Sequence, residues 1–115
     1  MPEEKARAAE DRRIVRRRSL KKGVEITVRK GTLGLGPNLA AGGEELSLDG
    51  VQLRVKAELR KGTEIEIGLT GIGRSKPMTL MADVRWCKED EESETWLIGA
   101  KFRRRLAYAD LGLFV

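Results

Sequence analysis

The amino-acid sequence predicts an all-β domain, a small six-stranded antiparallel barrel with a flexible basic N-terminal arm and a short C-terminal cap or helix. Three observations support this fold class. Apolar and polar residues alternate with a period of two along most of the chain after residue 23, which is typical of strands with one buried face. Turn-forming segments separate these runs, as in small antiparallel barrels. The 115 residues, of which 40% are hydrophobic, suit one domain with one small core.

Composition divides the chain into three segments. Residues 1–22 are predicted to form the basic arm, residues 23–104 the barrel, and residues 105–115 the apolar cap. The arm holds nine basic and four acidic residues, so it carries the whole formal net charge of +5. Because the rest of the chain is neutral, we expect the arm to be the part that attracts an anionic partner.

Six strands are predicted in order along the chain. Apolar residues alternate with polar ones in the segments 24–28, 46–48, 51–55, 65–69, 78–86 and 96–102. Residues 31–43 are rich in glycine and are predicted to form a loop. The Asp49-Gly50 pair is typical of a hairpin turn, and the acidic stretch 88–94 is predicted to form a solvated hairpin loop.

Three aromatic side chains are predicted to pack in the core. Trp86, Trp96 and Phe102 are in phase with the apolar positions of their strands, which favours packing over contact with a ligand. Cys87 is on the opposite phase from Trp86 and is therefore expected to be partly exposed.

The composition also excludes several functional classes. The sequence has no histidine, so it lacks the commonest general base and the commonest metal ligand. We therefore expect a protein that is not an enzyme and that uses no metal or cofactor. Its single cysteine cannot form an internal disulfide and fits a reducing, cytoplasmic location. No apolar run is long enough to span a membrane, so we expect no membrane insertion.

Two short motifs carry the functional signal. The first is the arginine-rich run at residues 12–18, in which Arg13 and Arg17 are four positions apart, just before the first predicted strand. The second is the segment 45–50, which begins with Glu45 and has a serine two positions later and a glycine at its end. Each motif alone has little specificity. Their order and spacing make the combination more specific than either motif.

Together these motifs resemble the signature of the PilZ domain family, small β-barrels that bind the second messenger cyclic di-guanosine monophosphate (cyclic di-GMP). That signature is Arg-x-x-x-Arg before the first strand and Asp/Asn-x-Ser-x-x-Gly in the second. The segment 96–102 also resembles the last strand of the family. The resemblance extends over nearly the whole chain, from about residue 12 to residue 102.

The resemblance implies a site for cyclic di-GMP. Its members would be Arg13, Arg17, Glu45, Ser47 and Gly50, with Arg12, Arg16 and Gly99 as secondary candidates. The two arginines would hold guanine and phosphate, since a guanidinium forms paired hydrogen bonds with both. Ser47 would donate to the ligand, and Glu45 would accept from guanine N–H groups. Gly50 would permit a close approach of backbone and ligand, or a positive φ at the turn.

The chain departs from the family pattern at one position and has an ambiguous register at another. Glu45 stands where the family has aspartate or asparagine, and its side chain is one methylene longer. Arg12 and Arg16 share the spacing of the arginine motif, although the register of Arg13 and Arg17 agrees better with the start of the first strand. The competing segment 38–43 has the asparagine and glycine spacing but no serine, and we reject it.

Two functions follow from this pattern. The first is a cyclic di-GMP receptor or adaptor whose arm changes on ligand binding and signals to a protein partner that the sequence does not identify. The alternative is a degenerate domain that binds no nucleotide and serves as a protein-interaction adaptor, which the glutamate at position 45 favours. The neutral body and the scarcity of aromatic residues argue against nucleic acid as a partner. The sequence leaves the oligomeric state open.

Overall fold

The computed structural model of the chain describes residues 17–31 and 33–115. The strands are β1 (Arg18–Ser19), β2 (Glu25–Lys30), β3 (Ala40–Leu46), β4 (Gly50–Val55), β5 (Glu64–Thr70), β6 (Met78–Asp90) and β7 (Thr95–Phe102). They pair in one sheet in the order β1-β3-β4-β7-β6-β5-β2, and every pairing is antiparallel. The predicted all-β fold is confirmed.

The sheet curls into a half-barrel because its two ends approach each other. Just before β3, the Leu39 N–H donates to the carbonyl of Val28 in β2, at 2.7 Å. The side chain of Asn38 strengthens this junction, since its Oδ1 accepts from the N–H groups of Val28 and Ala40, each at 3.0 Å. One amide side chain thereby joins β2, at one end of the sheet, to the entrance of β3, near the other end.

The core lies inside the curl and is built by alternation along the strands. Val51, Leu53 and Val55 of β4 are buried, whereas Gln52 and Arg54 between them face outward. The other strands contribute buried side chains that are almost all aliphatic, although their alternation is less regular than that of β4. Burial of each such side chain stabilises the fold by roughly 1.5–3 kcal/mol.

The C-terminal segment packs on the sheet and contacts the start of the described chain. It contains one short helix, α1 (Tyr108–Leu111), as the sequence predicted, and it buries Leu111 and Phe114 in the core. The Phe114 carbonyl accepts from the N–H of Lys21 at 2.7 Å, and the Gly112 carbonyl accepts from Lys21 Nζ at 3.0 Å. The cap therefore fixes the position at which the arm meets the sheet. None of the helices in the described ranges is long and apolar enough to cross a membrane.

The structure differs from the sequence prediction in its first strands. A seventh strand, β1, lies inside the predicted arm and pairs with Glu45 and Leu46. Strand β3 begins at Ala40, inside the predicted loop 31–43, and contains two register shifts. Its glycines and these bulges remove the alternation that marks a strand in the sequence. The second predicted strand also ends earlier than expected, at Leu46.

We predict that Asn38→Ala destabilises the fold by about 1 kcal/mol, because two backbone N–H groups lose their shared acceptor at the junction. Asn38→Asp keeps an acceptor oxygen at the same place and serves as the matched control. Urea unfolding of the three proteins measures the difference. Equal stabilities of the wild type and Asn38→Ala would show that the junction does not depend on this side chain.

Candidate functional site

A transverse row of residues on the outer face of the sheet brings distant parts of the sequence together. Glu45 of β3 pairs with Gln52 of β4, which in turn pairs with Gly99 of β7. Gly99 pairs with Trp86 of β6, and Ser19 of β1 extends the row beyond Glu45. Directly opposed residues of neighbouring strands lie about 5 Å apart, so these five residues form one continuous strip, called the transverse row below.

Arg17 reaches the transverse row from the arm. Its NH1 group donates to Gln52 Oε1 at 2.9 Å, and its Nε lies 3.7 Å from Glu45 Oε2. The side chains of Arg17 and Glu45 are 57% and 42% exposed, and such ion pairs contribute only about 0–1 kcal/mol to stability. The effect of the contacts is to hold the guanidinium over the row. The structure thus brings together two of the residues that the sequence singled out.

Ser47 shapes the tight turn between β3 and β4, which comprises residues 47–50 and is called the motif turn below. The Ser47 side chain is buried, and its Oγ accepts from the N–H groups of Asp49 at 3.3 Å and Gly50 at 3.2 Å. The Ser47 N–H donates to the Gly50 carbonyl at 2.9 Å. The hydroxyl therefore satisfies backbone donors that a turn leaves unpaired.

Gly50 is required by the packing of β4 against β7. A Cβ atom at this position would overlap the carbonyl oxygen of Ala100. Because the neighbour is backbone in a paired strand, it cannot move aside without disturbing the sheet. The positive φ considered for Gly50 is absent, since this residue is not among the glycines with positive φ in the described ranges. The structure gives the residue a packing role against the Ala100 backbone, whereas the predicted approach to a ligand stays a prediction.

Trp86 belongs to the outer face, and the prediction that it packs in the core was wrong. The pairing of β6 with β7 shifts between Val84 and Trp86, and a one-residue shift moves later side chains to the opposite face of a sheet. The Trp86 side chain is consequently exposed (39%) and lies against Gly99, where a Cβ atom would overlap the indole. Phe102 is buried as predicted, and Trp96 is half-buried against the core.

A shallow cavity of about 180 Å³ lies between the transverse row and the motif turn. It is lined by Arg17, Ser47, Asp49, Gly50, Val51, Arg85, Trp86, Gly99, Ala100 and Lys101. Three of these side chains are cationic, namely Arg17, Arg85 and Lys101. Cationic groups bind phosphates, and an exposed indole offers a face on which a base can stack. The cavity therefore combines the two kinds of group that recognise a nucleotide.

Asp49 is the acidic residue in this lining, and Arg105 compensates its charge. Arg105 Nε donates to Asp49 Oδ1 at 2.6 Å, and its NH2 donates to Oδ2 at 3.2 Å. The hydrogen bond from Arg105 lowers the pKa of the Asp49 carboxyl below its ordinary value, because it stabilises the charged form. The lining thus keeps an excess of positive charge.

The structure extends the set of site residues beyond the sequence motifs. The added residues are Gln52, Arg85, Trp86 and Lys101, which lie outside the two short motifs and reach the candidate site through strand pairing and the bulge of β6. Lys101 lies in the segment 96–102 that the sequence had also singled out. One sequence feature could have indicated the outer position of Trp86. This feature is Gly99, since a glycine inside a strand often marks a place where another group approaches closely. The candidates Arg12, Arg13 and Arg16 lie outside the described residues. Within the described ranges, no group of three or more histidine, cysteine or acidic residues could hold a metal ion.

Comparison with known proteins identifies one family. The sequence profile of the PilZ domain matches residues 10–110, which is nearly the whole chain. No curated protein and no solved structure matches the chain significantly. The resemblance that the two motifs indicated is therefore confirmed at the level of the family.

We predict that Gly99→Ala displaces the Trp86 side chain from the sheet, because the added methyl group would overlap the indole. In ¹H–¹⁵N NMR spectra the indole N–H signal of Trp86 should shift, whereas that of Trp96 should stay in place. Gly112→Ala is the matched control, since its φ of −62° is ordinary and the nearest atom would be 3.6 Å away. An unchanged Trp86 signal in Gly99→Ala would contradict the described contact.

Proposed function

The chain belongs to the PilZ domain family, a family of cyclic di-GMP receptors, and on this premise we propose that it binds cyclic di-GMP in the cavity beside the transverse row. The observation that supports the proposal most directly is the lining of this cavity, where three cationic side chains and an exposed indole meet beside the motif turn. Cyclic di-GMP presents two phosphates and two guanines, so its chemistry matches both kinds of group.

In this proposal the charged and aromatic groups of the site contact the ligand, and Ser47 and Gly50 shape the turn beside it. Arg17, Arg85 and Lys101 would contact phosphate or guanine acceptors, and Trp86 would stack on a guanine. Glu45 would accept from guanine N–H groups. Since Arg17 contacts Gln52 and Glu45, ligand binding would exchange these protein contacts for contacts with the nucleotide. Of the arginines outside the described residues, Arg13 would be the second motif arginine at the site.

The proposed output is a change at the arm. The ligand would hold the residues that precede Arg17 against the outer face of the sheet, and the surface formed in this way would be recognised by a protein partner. The proposal assigns no catalytic step to the protein. The proposal includes a cytoplasmic location, which the single cysteine fits.

A degenerate domain that acts as an adaptor without nucleotide is the second candidate. The observation that favours it is the position of Glu45, whose carboxylate lies 3.7 Å from the Arg17 guanidinium. A carboxylate at this place competes with the ligand for the arginine, and its longer side chain changes the distance to a bound guanine. In this candidate the same face of the sheet would contact a protein directly.

We predict that calorimetric titration of the full chain with cyclic di-GMP shows saturable binding, and that Arg17→Ala weakens it at least about tenfold through loss of a charge-assisted contact. Arg74→Ala is the matched control, because this exposed arginine lies in the loop between β5 and β6 and is not part of the cavity lining. Absence of saturation for the wild type at high micromolar ligand would refute the receptor function. Equal affinities of Arg17→Ala and the wild type would refute the assignment of the site.

Glu45→Asp separates the two candidate functions. We expect this substitution to increase the affinity for cyclic di-GMP several-fold, because the shorter side chain restores the family pattern and withdraws the carboxylate from Arg17. The same titration measures it, with Glu44→Asp as a control on the neighbouring residue of β3. If neither the wild type nor Glu45→Asp binds the nucleotide, the adaptor function is the one that remains.

A further inference from the structure

Arg105 lies outside the cavity lining, and yet the structure ties it closely to the motif turn. Its guanidinium binds both carboxylate oxygens of Asp49, at 2.6 and 3.2 Å. The backbone on either side of Arg105 is also bound to the turn. Phe102 N–H donates to the Asp49 carbonyl at 2.8 Å, and Leu106 N–H donates to the Leu48 carbonyl at 2.8 Å. Three independent contacts therefore hold this part of the chain against the turn.

The contact between Arg105 and Asp49 affects the charge of the cavity, because Asp49 carries a negative charge. Asp49 lines the cavity, and an uncompensated carboxylate there would repel an anionic ligand. Lys101 is close enough to lower the pKa of Asp49, to a smaller degree than Arg105 does. Without Arg105, Lys101 would therefore become the main cationic neighbour of Asp49, and one of the three cationic side chains of the cavity would be drawn to a carboxylate of the protein itself.

We propose that Arg105 is a positioning residue of the ligand site, which neutralises Asp49 and keeps Lys101 available to an anion in the cavity. The inference rests on the proposed function for cyclic di-GMP, but its electrostatic part applies to any phosphate-bearing anion. The Arg105–Asp49 pair is half exposed, so its contribution to stability is small. Its effect is on the field inside the cavity.

The same segment also reaches the other half of the site. After Leu106 the chain forms the cap, whose Gly112 and Phe114 carbonyls bind Lys21, four residues after Arg17. The segment from Arg105 to the cap thus contacts the motif turn at one end and the base of the arm at the other. Because these contacts use backbone groups on both sides of Arg105, substitution of the Arg105 side chain is expected to leave them in place and to change only the charge at the turn.

A double-mutant cycle on the full chain tests the proposal, with Arg105→Gln, Asp49→Asn and the combination of both. Two probes are used, namely cyclic di-GMP by calorimetry and inorganic pyrophosphate by NMR shifts of the Gly50 and Lys101 amides. We expect Arg105→Gln to weaken both probes about tenfold, which is about 1.4 kcal/mol. Asp49→Asn should bind at least as tightly as the wild type. The double variant should return to within about twofold of the wild type, because the charge that needed compensation is gone.

Two further variants separate positioning from a general loss of stability. Arg103→Gln removes a neighbouring arginine that pairs with Asp83 and Glu64 away from the cavity, and its affinities should be unchanged. Arg105→Lys keeps the charge without the two-pronged contact, and it should stay within about threefold of the wild type. This variant preserves the test should Arg105→Gln fail to fold, since a tenfold loss in folded Arg105→Lys would contradict the role of charge.

The outcomes distinguish this inference from the proposed function. Unchanged affinities in Arg105→Gln would overturn the inference. A double variant as weak as Arg105→Gln would also overturn it, because Arg105 would then act by touching the ligand and not through Asp49. If the wild type binds pyrophosphate with the expected cycle but not cyclic di-GMP, the proposed function fails and the role of Arg105 stands. If the wild type binds neither probe, both are refuted.

Discussion

The pairing of β4 with β7 at the centre of the sheet is the constraint on which the rest of the structure depends. These strands carry the middle of the transverse row, and their register places Gln52 opposite Gly99. At Gly50 the Ala100 backbone leaves no room for a side chain. The register that places a glycine at this point is therefore favoured over registers shifted by one residue. A slip by one residue would turn the apolar side chains of β4 outward and would separate the motif turn from Trp86.

The candidate site is assembled from elements that are far apart in the sequence. Backbone hydrogen bonds hold most of these elements in place. The arm contributes Arg17, the turn contributes Asp49, and the bulged part of β6 contributes Trp86. The cap joins the first two, since one end of its segment binds the turn and the other binds Lys21. Side-chain ion pairs at the surface add little stability by themselves. Their importance lies in the sign of the charge that they leave facing the cavity.

Local patterns in the sequence predicted the fold well, because alternation reports directly which face of a strand is buried. They failed where the strand is irregular. In β3, glycines and bulges hide the strand that begins at Ala40, and in β6 one bulge reverses the outward and inward positions, so Trp86 was assigned to the core. The glycine content of residues 31–43 favoured a loop in the sequence, and the bulges of both strands become visible only in their pairing with the partner strand.

The site was predictable only where its residues belong to a linear motif. Arg17 and Glu45 were identified in this way, and the structure places them in contact. No linear motif identifies Gln52, Lys101 or Arg105. They become neighbours of the candidate site through strand pairing and the path of the cap. In the sequence such residues cannot be told from other polar surface residues, and only the folded chain shows that they lie beside the candidate site.

Two residues of the second motif have structural roles in the motif turn, so their presence does not by itself indicate nucleotide binding in other proteins of the family. Ser47 holds the turn through backbone N–H groups, and Gly50 is needed for the fit between two strands. A descendant that had lost its ligand would still be under selection to keep both, because it would still have to fold. The serine and glycine are thus markers of shared architecture. Evidence of nucleotide recognition has to come from other groups of the candidate site, namely Arg17, Glu45 and the cationic and aromatic side chains that line the cavity.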